Sequence, residues 1–222
     1  MSDSEIEWSG AARPERVPID GVRVRLEPLD PDRQLDDLVE AGADADLWDY
    51  LAYGPFPDRT AFAAHLDAQA ASEDPLFLVV VDRASGKALG VVSYLRIVPD
   101  HGVIEIGHIW FGKALQRTPS ATEAIYLLAR HAFDDLGYRR LEWKCNAQNA
   151  ASCRAAERFG FTFEGTFRQH QIVKGRNRDT AWYSTLDSEW PAIRAGFEAW
   201  LAPENFDENG RQRRSLAELR AG

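Results

Sequence analysis

Apolar and polar positions change period along this chain, and the changes mark its elements. Val22 to Leu29 alternates apolar and charged residues, as a half-buried strand does. Pro31 to Ala43 and Asp58 to Ser72 carry helical spacing, the second with Phe62, Leu66 and Gln69 along it. Leu76 to Val81 is a continuous apolar run, which predicts a buried strand. Ser85-Gly86 turns the chain into Ala88 to Val98, and Asp100 to Gly102 turns it again into Val103 to Phe111. These three runs are expected to form an antiparallel meander. A long helix over 119–136 follows, with Ala121, Ala124, Ile125, Leu128, Ala132, Phe133 and Leu136 on one face and Gly137 as its stop. Arg140 to Cys145 reads as a strand and Ala151 to Phe159 as a short helix closed by Gly160. Phe163 to Val173 and Thr180 to Leu186 read as strands joined by a turn over 174–179. Ser188 to Leu201 reads as a last helix, with Pro191 in its first turn.

Strand and helix alternate in the middle, with hairpins on both sides. The expected fold class is therefore α+β, a mixed α/β sheet of about seven strands, mostly antiparallel, flanked by helices. Residues 1–20 show no periodicity, although Trp8 and Pro18 suggest a segment laid over the body. The stretch after Pro203 is polar and charged. The expected organisation is an extension over 1–20, one domain over 21–202 and a polar tail over 203–222.

Composition narrows the class. With 222 residues, 45% apolar and 27% charged, the chain has the size and balance of one globular domain. Its net charge of −9 argues against a general binder of nucleic acid or anionic membrane. No apolar run approaches the roughly 18 residues that span a bilayer. The opening MSDSEIEWSG lacks the apolar core of a secretory signal. The two cysteines, Cys145 and Cys153, read as reduced thiols, so a cytoplasmic chain is expected.

The loop before the long helix carries candidate chemistry. Thr118 is a good N-cap, Pro119 suits the first helical position, and Ser120 with Glu123 fits a capping box. A helix start presents unpaired N–H groups and a partial positive charge, so it can hold phosphate, and Arg117 adds a full charge. An ordinary, well-capped connection is the alternative.

The order of elements and two motifs resemble the GNAT superfamily of acetyl-CoA-dependent N-acyltransferases, over about residues 20–190. Gln116-Arg117-Thr118-Pro119-Ser120-Ala121 resembles the family's Q/R-x-x-G-x-G/A loop. Its first and last positions match, while Pro119 replaces the middle glycine and removes one N–H donor. Asn149-Ala-Ala-Ser152 followed by Glu157-Arg-Phe-Gly160-Phe161 is similar to the N-x-x-S…E-x-x-G-F signature of the ribosomal-protein N-terminal (RimJ/RimL-like) branch. The resemblance implies acetyl-CoA as cosubstrate and no metal. It implies pyrophosphate contacts from Gln116, Arg117, Thr118, Ser120, Ala121 and Thr122, and a pantetheine contact from Asn149. It gives Ser152 the role of protonating the departing thiolate, since Ala156 stands where other members carry a tyrosine. The strand over 103–111 is implied to part from its neighbour, leaving a backbone N–H at Ile109, Trp110 or Phe111 for the acyl oxygen and admitting pantetheine as a pseudo-strand. Asn149 and Ser152 also fit a turn asparagine and a helix-start serine.

The acceptor side needs a base, because an amine attacks a thioester only in its neutral form. Glu105 and His108 lie on one strand with opposite parity, so only one faces the acceptor unless a bulge intervenes, and Gly107 is a plausible bulge site. Glu105 stands where the histone-acetylating branch carries its base; a buried carboxylate bonded to backbone amides is the alternative. For His108 a satisfied, half-buried histidine is the favoured reading. Cys153 beside a helix start could carry an acyl group, but no histidine accompanies it by any motif. His65, His101, His131 and His170 lack metal-ligand spacing. Trp48, Tyr50, Tyr53 and Phe56 line either the acceptor site or the core. The turn over 174–179 reads as solvated.

The sequence therefore points to an N-acetyltransferase moving acetyl from acetyl-CoA to a primary amine, a protein N-terminus or a small molecule, by direct transfer in a ternary complex. The acidic surface would favour a cationic acceptor. The rival is a non-catalytic acyl-CoA-binding module, which Pro119 keeps in play. Neither nucleic acid nor membrane is expected as a partner; a homodimer is carried as one option.

Overall fold

The computed structural model describes residues 7–220. In chain order the elements are β1 (Ile19–Asp20), β2 (Val24–Pro28), α1 (Pro31–Ala41), α2 (Arg59–Ala71), β3 (Leu76–Asp82), β4 (Ala88–Val98), β5 (Val103–Phe111) and α3 (Pro119–Arg130). They continue as β6 (Arg140–Asn146), α4 (Ala150–Phe159), β7 (Thr162–Val173), β8 (Arg176–Leu186), α5 (Trp190–Leu201) and α6 (Leu216–Arg220). All eight strands join one sheet in the order β1-β2-β3-β4-β5-β6-β8-β7. Every neighbouring pair is antiparallel except β5 and β6, which α3 connects in parallel.

The period of two along the central strands sorts their side chains into two cores. Leu78, Val80, Val92, Tyr94, Ile104 and Ile106 face the cluster that holds α3, α4 and α5. Phe77, Val79, Val91 and Trp110 face the cluster that holds α1 and α2. Leu76 to Val80 is buried throughout because both faces of β3 are covered.

Five expectations change. The sheet has eight strands rather than about seven, because Ile19 and Asp20 pair with Leu26 and Arg25; two residues are too few to show a period. The long helix is regular only to Arg130 and then widens into a π turn over His131–Asp135, with Leu136 N–H donating to the His131 carbonyl at 3.0 Å. The Ser120–Glu123 capping box does not form. Thr118 alone caps α3, accepting from Ala121 N–H at 3.2 Å. Glu123 is instead buried against the start of β2, where it accepts from the N–H groups of Val22 (3.2 Å), Arg23 (2.6 Å) and Val24 (2.8 Å). The turn over 174–179 shrinks to Lys174-Gly175, and Arg176 to Asp179 belong to β8. The segment after Pro203 folds back: Asn205 donates to the Trp200 and Arg214 carbonyls, both at 3.1 Å, and α6 seats Leu216 in the core beside α5.

The early segment does lie on the body. Ala11 and Ala12 donate to the Pro99 and Leu136 carbonyls at 3.1 and 2.8 Å. The Trp8 ring occupies the space a side chain on Gly102 would need.

Candidate active site

The site begins where the two parallel strands part. β5 and β6 are paired from Val103↔Arg140 to Ile106↔Trp143 and no further. Beyond that point β6 continues against β8 alone, through Lys144↔Trp182 to Asn146↔Thr180. β5 continues against β4 alone, through Trp110↔Val91 to Phe111↔Gly90. A wedge opens between them, and at its mouth lies a cavity of about 320 Å³.

Two bulges shape this wedge. Between Val91 and Ser93 the partner strand runs from Trp110 to Gly107, so β5 carries one extra residue there. His108 adopts a φ of +49°, which resets the alternation. Glu105 and His108 therefore both face the cavity, despite their opposite parity. A second bulge lies on β4 between Leu95 and Val98, where Arg96 has a φ of +49°. Asp74 pins it, accepting from the Arg96 and Ile97 N–H groups at 2.8 and 3.1 Å.

Glu105 is 4% exposed. Both of its close ionic partners approach one oxygen: Lys144 Nζ lies 2.9 Å and Arg96 Nε 3.0 Å from Oε2. Neither approach lies along a hydrogen-bond axis, so these are ion pairs by distance rather than aligned bonds. Oε1 lies over Gly107, 3.6 Å from where a Cβ on that glycine would sit. Burial raises the Glu105 pKa above the ordinary carboxylate value, and Lys144 and Arg96 offset only part of that rise. The backbone-amide partners expected for a purely structural glutamate are absent from this group among the described residues; its partners are cations. Lys144 is itself held by Glu142 Oε2 at 2.6 Å and lies 3.7 Å from the centre of the Trp182 ring.

His108 stacks on Tyr53 and packs at a tilt against Phe77, and burial pushes its imidazole down to about 4. It is neutral near pH 7 and a weak base. Tyr53, Phe56 and Trp48 pack with Phe62 and Trp110 in the α1–α2 core. Tyr50 alone of the four expected aromatic residues reaches the cavity, and its hydroxyl donates to the Gln148 carbonyl at 3.3 Å.

Across the wedge, Asn149 and Ser152 sit at the start of α4, and both line the cavity. Asn149 Oδ1 accepts from Ser152 N–H at 3.0 Å, which is the helix-capping role. The Asn149 amide group remains for a ligand. Trp143 Nε1–H donates to Ser152 Oγ at 3.0 Å. With one lone pair so occupied, the hydroxyl proton is left to donate elsewhere. Cys145 lies beside this pair, its Sγ 3.6 Å from that of Cys153. Burial pushes the Cys145 thiol up to about 12, and no histidine bonds either sulfur among the described residues. The cysteine-carrier alternative finds no base.

The loop before α3 lies away from this cavity. Gln116 Nε2 donates to the Phe111 carbonyl at 2.7 Å, fixing the turn. Arg117 is exposed at a φ of +60°. The Thr118 hydroxyl donates to the Leu115 carbonyl at 2.6 Å while capping Ala121 N–H. Thr122 is buried, with its hydroxyl accepting from Arg158 at 3.1 Å. The groups left for phosphate include Arg117 and Ser120 with its N–H. Ile109 lines the cavity, whereas Trp110 turns its ring into the α1–α2 core.

Sequence reasoning missed Arg96, Lys144 and Arg178, which line the same cavity. Arg178 was placed in a turn, yet Arg178, Thr180 and Trp182 share one face of β8 at a spacing of two, and that spacing was the available signal.

A family model described as an acetyltransferase (GNAT) domain matches residues 23–162, more than half of the chain and all of the wedge. The chain belongs to the GNAT acetyltransferase family. Its structure superposes on a GCN5-related N-acetyltransferase from Brucella melitensis with a TM-score of 0.96 and 50% identity, covering 97% of this chain and 99% of that one. The uncharacterized N-acetyltransferase p20 of Bacillus licheniformis is 25% identical over 159 residues, 70% of this chain and 88% of the relative. The ribosomal-protein-serine acetyltransferase of Escherichia coli K12 is 30% identical over 98 residues, 44% of this chain and 54% of the relative. The GNAT chain is thus an acetyl-CoA-dependent N-acetyltransferase. No described helix is long and apolar enough to cross a membrane.

The wedge fits the donor. From Gly107 onward β5 has no strand on its β6 side, so its backbone there is open to an extended arm carrying amide groups. No group of three or more metal-ligating side chains occurs among the described residues.

Proposed function

We propose that this GNAT enzyme transfers acetyl directly to a primary amine in a ternary complex, with Glu105 as base and Ser152 as acid. The observation that supports it most is the placement of these two residues on one cavity at the point where β5 and β6 part. Acetyl-CoA supplies an activated acyl carbon as its thioester. Glu105, made more basic by burial, takes a proton from the acceptor ammonium, directly or through water. The freed amine lone pair forms the C–N bond while the C–S bond breaks. A backbone N–H near Ile109 would stabilise negative charge developing on the acyl oxygen. Ser152, oriented by Trp143, gives its proton to the leaving sulfur and is reprotonated, through solvent, by the second proton that nitrogen sheds on becoming an amide. Asn149 would hold the pantetheine arm through its amide, and Arg117 with Ser120 N–H the pyrophosphate. Pro119 offers no N–H there. The acceptor is a small-molecule amine or a protein N-terminus; the Escherichia coli relative is named for a ribosomal-protein serine.

Steady-state release of free thiol from acetyl-CoA, over a panel of amines, tests the reading. Glu105→Gln is expected to lower kcat by about 10²- to 10⁴-fold, the usual range for a lost general base. Its KM for acetyl-CoA should change little. Ser152→Ala should lower kcat with a similar KM. A Glu105→Gln enzyme with normal turnover would reject the base assignment, and an unaffected Ser152→Ala would reject the acid.

A further inference from the structure

The charged groups around the cavity do not balance. Arg96, Lys144 and Arg178 line the cavity with Glu105, and Arg140, Glu142 and Glu164 stand behind them, four cations against three carboxylates. Three of the cations are spoken for. Lys144 lies between Glu105 and Glu142. Arg96 pairs with Glu105. Arg140 binds Glu142 at 2.8 Å and grips both oxygens of Glu164 at 2.7 and 2.6 Å. That double bond pulls Glu164 down to about 2.

Arg178 is the surplus charge. It forms no ion pair among the described residues. Its Nε is buried without a hydrogen-bond partner. Arg178 lines the cavity beside Gln171 and Thr180. Its charge is not neutralised by its own strand neighbour: Asp179 lies on the opposite side of β8, where it binds Gln169 N–H at 2.7 Å and Asn177 at 2.8 Å. Burying part of a guanidinium without a paired counter-charge is unfavourable, and burial disfavours its charged form more than the nearby Glu105 favours it. A folded protein keeps such a group where a ligand completes it.

We infer that Arg178, with the free edge of Arg96, receives a carboxylate carried by the acceptor, so that the acceptor is a small free amino acid rather than a simple amine or a peptide end. This rests on the acyl-transfer reading above and narrows it. A planar guanidinium matches a carboxylate with two parallel N–H···O bonds. The cavity of about 320 Å³ suits a small molecule, and Glu105 lies in the same wall to take the ammonium proton. The arrangement reverses the expectation drawn from net charge. The surface as a whole is acidic, at −9, yet the cavity wall is cationic. The acidic surface acts at long range, where salt screens it. At contact the wall decides which molecule stays.

The experiment compares free amino acids with their carboxamides, which keep the amine and side chain but lose the carboxylate. Thiol release is measured with wild type, Arg178→Gln and, as a control for loss of a neighbouring exposed charge outside the cavity lining, Arg176→Gln. Wild type is expected to favour the free acid by tenfold or more in kcat/KM, mostly through KM. Arg178→Gln should abolish that preference, and Arg176→Gln should keep it. Thermal unfolding supplies an independent readout: N-acetyl amino acid should raise the midpoint of wild type more than its amide does, and not that of Arg178→Gln. Equal use of acids and amides by wild type, or preference for peptide N-termini, overturns the carboxylate site and leaves acyl transfer standing. A carboxylate-selective midpoint shift without thiol release from any amine keeps the carboxylate site and rejects acyl transfer. A preference retained by Arg178→Gln overturns the assignment.

Discussion

His108 shows how far one side chain's surroundings can be read physically. Its spacing from Glu105 set the question of parity, and the candidate bulge at Gly107 was legible as a glycine within a strand. The neutral state was not legible, because it arises from Tyr53 and Phe77, which come from elsewhere in the chain. Burial takes the imidazole from 6.5 to about 4 in the folded protein. The unfolded chain therefore binds a proton below pH 6.5 that the folded chain refuses until about pH 4. The sign follows: stability from this residue is intact above pH 6.5 and is lost as pH falls toward 4. Two and a half units correspond to roughly 3 kcal/mol at most. Urea unfolding between pH 7 and 4.5 should show a shallower loss for His108→Phe than for wild type. Ser152 and Asn149 were legible through their motif. Arg178 was not, because a charge between Asn177 and Asp179, just after Gly175, looks solvated until strand pairing places it.

At the scale of elements, the caps and apolar stripes carried most of the information. Thr118 caps α3 as expected, and Gly160 closes α4 with a φ of +98°. Glu123 was assigned the wrong partner because a capping box is a local pattern, while its actual partners are about a hundred residues earlier. Three N–H groups at the start of β2 depend on that one buried carboxylate. Glu123→Ala should leave them unsatisfied and cost about 3 kcal/mol or more, read as a lower denaturation midpoint. The smaller tie at Asp74 fixes the β4 bulge. Asp74→Ala should cost about 1 kcal/mol, because the site is exposed, yet lower kcat further than that loss explains by releasing Arg96 from Glu105.

Across the whole molecule, the β3-β4-β5 meander followed from the apolar runs and hairpin signals, and the mixed sheet held apart from the short extra strand β1. The folded-back C-terminal segment escaped notice because its anchors, Asn205 and Leu216, are isolated residues without a period. Acetyl-CoA should stabilise the whole fold. At a hundred times its dissociation constant it adds about 2.7 kcal/mol, which raises the melting midpoint of a chain this size by roughly 5 to 10 °C. Adenine nucleotide without the pantetheine arm should give little of that rise.

The parting of β5 and β6 has a consequence for solvent exchange. On the wedge side, the backbone from Gly107 to Phe111 has lost its strand neighbour, although the same residues lie in the middle of the sheet order. Their wedge-facing amide protons should trade with deuterium far sooner than those of Val79 or Ile104 nearby. Once the donor lies in the gap, it takes the place of the missing strand, and those protons should become slow. The enzyme alone would then be a sheet with a seam, and substrate the stitch that closes it.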